Sequence, residues 1–269
     1  MTMRFSRRQA GIGALALFGL AAMAPIARAA PAGTGAGEAL SLPAAINKSG
    51  RQRMLSQRLG KAYAMLAFNV EPPLAKKIWQ QSEALFVSQL SELKKTIPTP
   101  EIGDAVMALD SAWQIYGRNL QQTPNKENAQ RVYVSGEEVL KRANTLTGLY
   151  ERQLGTAQAR LVNIAGRQRM LSQRMARAFY FNEWGIAADT AKDLETARQE
   201  FAQGMKELLS APQNTPAIKQ DLALAEQQWL FFQRAIDSGA DGNKHVATTS
   251  ERILEQMNDL ADKYERLSN

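Results

Sequence analysis

Six arginines stand in two segments of identical wording. The first is Gly50-Arg51-Gln52-Arg53-Met54-Leu55-Ser56-Gln57-Arg58; the second is Gly166-Arg167-Gln168-Arg169-Met170-Leu171-Ser172-Gln173-Arg174. Nine residues repeat letter for letter at an offset of 116, between flanks that have diverged. A guanidinium keeps its proton, so the chemistry on offer is recognition of an anion through charge-assisted, bidentate hydrogen bonds. No other grouping points to a reaction. Acidic residues are scattered at helix-surface spacing, without an acid–base pair. His245 is the only histidine and reads as a surface residue, and there is no cysteine. Disulfides, thiolate nucleophiles and cysteine metal sites are thereby excluded. No phosphate loop, nucleophile elbow or zinc spacing is present. The expectation is a non-enzyme that needs no cofactor.

Each segment lacks proline and carries its only glycine at the start, so it reads as helix. At 100° per residue Ser49, Arg53, Ser56 and Gly60 share one stripe, with Leu55, Leu59, Ala62 and Leu66 nearly opposite. The second copy repeats this with Ala165, Arg169, Ser172 and Ala176 in front of Leu171 and Met175. Small residues admit a neighbouring backbone, so the two stripes are expected to face each other. Arg53 and Arg169 then meet. At about 4 Å their repulsion is roughly 1 kcal/mol in water and about four times that near a protein surface. A small planar oxyanion between them turns repulsion into attraction. Ser56 and Ser172 stand one turn along as hydroxyl donors, and Gly50 and Gly166 complete the candidate site. Arg51, Arg58, Arg167 and Arg174 lie to the side, where they raise the local potential or solvate the helix flank. A lone arginine on an amphipathic helix is most often solvated; the repetition is what points to a site.

The rest of the chain must hold these segments. Prolines 43, 72, 73, 98, 100 and 124 punctuate the first half. They predict helices over roughly 38–68, from Pro73 to about Lys95, from Pro100 to about Leu120, and from about Glu127 to Leu154. The second half repeats the plan. Pro100, Ile102, Trp113, Tyr116 and Arg118 match Pro216, Ile218, Trp229, Phe232 and Arg234 at offset 116. Asn144 and Tyr150-Glu151-Arg152 match Asn258 and Tyr264-Glu265-Arg266 at offset 114, so the second copy has lost two residues between. Trp113 and Trp229 read as core anchors. The fold class is all-α: two tandem four-helix up-down bundles related by pseudo-twofold symmetry, residues 38–155 and 156–269. A turn near Gly155 sets the two motif helices parallel at one height. A continuous rod through that point would instead separate the motifs.

Asn47-x-x-Gly50-Arg-Gln-Arg-Met-Leu-Ser-Gln-Arg resembles the P-box of the NarX-like sensor domain of nitrate/nitrite sensor kinases. It is still more similar to the N-terminal domain of the type IV pilus methyl-accepting chemotaxis transducer. The resemblance implies a four-helix sensor bundle that dimerises, with an anion between two P-box helices held by the arginine before the methionine. Those arginines are Arg53 and Arg169 here. Both halves lie in one chain, so a pseudo-dimer within a monomer is expected, without a kinase, signalling helix or second membrane span. Nitrate or nitrite is the expected ligand, and a membrane sensor or transporter the expected partner. The alternative is a non-catalytic envelope adaptor or scaffold that docks a chemosensory or type IV pilus partner.

Composition agrees with a globular, exported protein. Of 269 residues 45% are hydrophobic, enough for a sizeable core. The formal charge is +7; Arg4, Arg7, Arg8 and Arg28 precede Ala30 with no acidic residue, leaving +3 beyond. That balance argues against nucleic acid as a partner. Residues 1–29 read as a signal peptide: a basic start, an apolar run from Ala10 to Ile26, and Ala27-Arg28-Ala29 as the cleavage site. Ser6-Arg7-Arg8 resembles a twin-arginine signal, with Ala10 where a larger apolar residue is usual, so Sec export stays open. A periplasmic location follows, and residues 30–37 are a flexible lead-in.

Overall fold

Hydroxyl and amide caps start five of the α-helices, three of them with proline in the first turn. Ser41 caps α1 (Leu42–Ala67) by accepting from the Ala44 amide, with Pro43 in the first turn. Thr99 and Thr215 cap α3 (Pro100–Leu120) and α7 (Pro216–Asp237) in the same way, each followed directly by proline. Asn125 caps α4 (Lys126–Leu154) and Thr156 caps α5 (Ala157–Trp184). The remaining helices are α2 (Pro72–Leu93), α6 (Thr190–Leu209) and, after a short 3-10 turn, α8 (Asn243–Ser268). This computed structural model describes residues 39–187 and 189–268. The leader and lead-in read from the sequence lie outside the described residues. The first helix starts at Leu42, four residues later than expected, because the cap and Pro43 fix its first turn there.

The protein is all-helical, and the helices pack as bundles. In the first half α1 lies against α2 and α4, and α3 against α4. A stacked pair, Phe86 on Trp113 at 4.0 Å between ring centres, ties α2 to α3. The second half repeats the arrangement, with Phe201 stacked on Trp229 at 4.4 Å. Trp113 is buried in the core, as its mid-helix position suggested, whereas Trp229 is half-buried at the edge of it.

The chain turns back between α4 and α5. Gly155 ends α4 at φ 65°, a left-handed conformation that glycine adopts without a Cβ penalty, and Thr156 starts α5. The rod alternative is therefore excluded. The α1 and α5 helices pack side by side, parallel and in register: Arg53 meets Asn163 near their starts, Gly60 meets Arg177, and Tyr63 meets Trp184 near their ends. The α4 and α8 helices run antiparallel to this pair. Asn144 faces Arg53 while Glu137 faces Arg177; Asp262 faces Asn47 while Glu251 faces Lys61.

Both central helices are buried on more faces than an amphipathic pattern predicts. Gln52, Gln57 and Lys61 in α1 and Gln168, Gln173 and Arg177 in α5 are at most 1% exposed. Each helix packs against its own bundle and against the opposite motif helix, so polar side chains are enclosed along with the apolar face. Among the described residues no helix is long and apolar enough to cross a membrane.

Candidate functional site

Arg53 and Arg169 are 1% and 0% exposed. Each reaches back towards the start of its helix, the direction in which helical side chains lean. Each crosses to the other motif helix. Arg53 Nη2 donates to Asn163 Oδ1 at 2.7 Å and to the Asn163 carbonyl at 3.4 Å, and Nη1 donates to Asn144 Oδ1 at 3.0 Å. Arg169 Nη2 donates to the Asn47 carbonyl at 3.3 Å, and Nη1 to Asn258 Oδ1 at 3.2 Å. Arg169 Nε is buried without a hydrogen-bond partner among the described residues. Asn47 and Asn163 are pseudo-equivalent, and so are Asn144 and Asn258. The four asparagines form a symmetric frame around two cations.

The two guanidinium groups converge on the glycines that open the motifs. A Cβ at Gly50 would lie 3.0 Å from Arg53 Nη2 and 3.8 Å from Arg169 Nη2. One at Gly166 would lie 3.0 Å from Arg169 Nη2 and 3.5 Å from Arg53 Nη2. A side chain at either place would displace the guanidinium ends, which gives glycine a steric reason there. Carboxylates stand one step away. Asn47 Nδ2 donates to Asp262 Oδ1 at 2.9 Å and to Glu265, and Asn163 Nδ2 donates to Glu151. No ion pair among the described residues engages Arg53 or Arg169 directly. Burial, aided by the charge of Arg167, pushes the Arg53 guanidinium down to about 9. Burial, then Arg51 and Arg53, push Arg169 well down too. At neutral pH both hold their protons, so the pocket encloses two positive charges with only amide and carbonyl dipoles in contact.

The serines take a different part from the one the helical wheel suggests. Ser56 Oγ donates to the Arg53 carbonyl and Ser172 Oγ to the Arg169 carbonyl, both at 2.8 Å. Their single protons are thus committed to the helix turn that carries each arginine. The flanking arginines are neither free charges nor simple solvated flank. Arg51 pairs with Asp262, Arg58 with Glu251, Arg167 with Glu200, and Arg174 with Glu137 and Asp193. His245 is exposed.

A second charged layer lies two turns further along, and sequence reasoning missed it. Lys61 Nζ, at 0% exposure, donates to Glu251 at 2.6 Å and to Ser250 Oγ at 3.0 Å. Its counterpart Arg177 donates to Glu137 at 2.5 Å and lies 4.5 Å from the Tyr133 ring centre. The halves differ in size here. A Cβ at Gly60 would stand 2.7 Å from Arg177 Cδ, and one at Gly136 would stand 3.1 Å from Arg177 Nη1. Around the slimmer Lys61 the matching positions are Ala176 and Ser250. Gly60→Ala should therefore destabilise the fold by about 1–3 kcal/mol through overpacking. Arg177→Lys, which copies the other half, should restore most of that loss in thermal melts. The usable signal was a lysine and an arginine at offset 116 facing two glutamates at offset 114.

Parallel motif helices enclosing paired arginines, in duplicated four-helix bundles, define an all-helical tandem module. The chain matches the model of the type IV pili methyl-accepting chemotaxis transducer N-terminal family over residues 38–136 and 151–266, and it belongs to that family. The two matched regions carry one motif each, consistent with a tandem duplicate of the sensor domain. No curated protein and no solved structure matches the chain.

Proposed function

We propose that the protein is a periplasmic receptor for a small planar oxyanion, nitrate or nitrite first, held between Arg53 and Arg169. The observation that carries this reading is the burial of two converging guanidinium groups without a carboxylate on either. An anion there satisfies Arg169 Nε, cancels the repulsion, and is most strongly held where water is excluded. The bound ion bridges the two halves, so occupancy shifts their packing and reports to a membrane partner. The reading assigns the chain no reaction. The adaptor alternative needs arginines on the surface for an acidic partner to grip. Burial of Arg53 and Arg169 weighs against it.

Calorimetric titration with nitrate, nitrite, sulfate and chloride tests the proposal. Saturable one-to-one binding of nitrate or nitrite is expected, absent from the Arg53→Ala, Arg169→Ala double variant. A ligand at a hundredfold excess over Kd should add about 2.7 kcal/mol to stability. No heat and no change in melting temperature with any of the four anions rejects it.

A further inference from the structure

Beside a cleft between α5 and α6 that has Asn163 in its wall and an excess of carboxylates (Glu151, Glu200 and Glu207 against Arg160 and Arg167), two clefts reach the asparagine frame as a pseudo-symmetric pair. One lies between α4 and α5 and has Asn144 in its wall; the other lies between α1 and α8 and has Asn258. Each asparagine accepts from one buried arginine, so each cleft ends on the side chain that covers the candidate site. The duplicated halves have diverged here in charge. The α4–α5 cleft is lined by three cations, Lys141, Arg167 and Arg174, against two carboxylates. The α1–α8 cleft is lined by two cations against three carboxylates, Glu251, Glu255 and Asp262. Glu255 stands where the other cleft has Lys141, and Asp262 where it has Gly148.

That last exchange also removes a tie between helices. Asp262 accepts from both Asn47 and Arg51, fastening α8 to the start of α1 across the mouth of its cleft. Gly148 makes no such tie, and the side chain of Arg167 is 45% exposed where that of Arg51 is 18%. Asn144 is exposed, whereas Asn258 is half-buried. Volume favours the opposite route: the acidic cleft holds about 440 Å³ and the basic one about 230 Å³. A triatomic or tetra-atomic anion fits either, so charge decides: the basic lining sums to +1 (three cations, two carboxylates) and the acidic one to −1 (two cations, three carboxylates).

We propose, resting on the anion-receptor reading, that the ligand enters between α4 and α5 past Asn144, and that the Arg51–Asp262 pair and the acidic lining close the path past Asn258. The test is a charge swap that leaves net charge unchanged, Lys141→Glu with Glu255→Lys, both at exposed positions. Nitrate association rates are read from NMR line shapes of the labelled protein. The swap should slow association by about tenfold, and Gly148→Asp, which installs the missing tie, should slow it as well. A Cβ at Gly148 meets only Arg152 Nη1 at 3.5 Å, so that variant keeps the fold. A swap variant that associates as fast as the parent, or faster, overturns the route while leaving the receptor reading intact. No saturable nitrate shift in the parent protein overturns the receptor reading itself, and the route with it.

Discussion

Arg169→Met is expected to raise the melting temperature of the anion-free protein while abolishing nitrate binding. Arg169 is fully buried, holds two long hydrogen bonds of 3.2 and 3.3 Å, and leaves Nε without a partner. Taking a charge out of water costs several kcal/mol after relaxation, and contacts of this kind return only part of it. Replacing poorly compensated buried ions with apolar side chains of similar volume has stabilised proteins by about 1–4 kcal/mol. In a chain of this size each kcal/mol moves the midpoint by roughly 2–4 °C. Methionine approximates the arginine stem and tolerates an irregular cavity. A gain in stability coupled to a loss of binding is the mark of a binding group held at a cost to the fold. A fall of several degrees, with nitrate binding retained, would identify Arg169 as a structural tie. Arg53 is the weaker test, because it also bonds Asn163 and Asn144 at 2.7 and 3.0 Å.

Glu251→Gln should have the opposite effect, and a larger one. Its carboxylate joins Lys61, which has no exposed surface, and Arg58, which also bonds Ser82. Burial alone pushes Glu251 up, but Lys61 and then Arg58 outweigh it and hold the carboxyl down at about 2, against 4.5 when unperturbed. Neutralising it strands a buried ammonium, a change that typically costs about 3–5 kcal/mol. A second substitution, Lys61→Met, should recover much of the loss, which separates charge stranding from damage to packing. The same linkage has a pH signature. Because the folded pKa lies below the unfolded one, the contribution is complete above about 4.5 and is lost as pH falls towards 2. Lys61 adds a second window with the same direction of slope. Burial first of all lowers it to about 8, so between about 8 and 10.5 the unfolded chain binds more protons and stability rises with pH. Chemical denaturation at a series of pH values reads both limbs. The acid limb should shrink in Glu251→Gln; an unchanged limb would place its origin elsewhere.

The sequence carried the helices and their order, because proline breaks and caps are local signals. The offsets of 116 and 114 carried the duplication, and with it the pairing of Arg53 with Arg169. The partners that hold those arginines were less visible. Asn144 and Asn258 appeared only as matched letters, and Asn47 only as part of the motif, since nothing local says which amide a guanidinium on another helix will meet. Helical periodicity set Ser56 and Ser172 on one stripe with the arginines. It could not foresee that each hydroxyl would turn back to its own helix, one turn away. The Lys61 and Arg177 layer escaped for a further reason: a wheel that assigns one face to the core leaves no place for polar groups enclosed from two sides.

The reversal at Gly155–Thr156 has a consequence for how such a site works in a cell. Two separate copies would assemble the arginine pair only above some protein concentration, and any substitution would strike both sides at once. Joined in one chain, the halves meet at an effective concentration set by a two-residue connection. In the proposed receptor, occupancy then depends on the ligand alone, however scarce the protein becomes. The halves are also released from self-complementarity. One is free to carry Arg177 with Gly60 and Gly136 while the other keeps Lys61 with Ala176 and Ser250, a division of labour that a true homodimer cannot inherit.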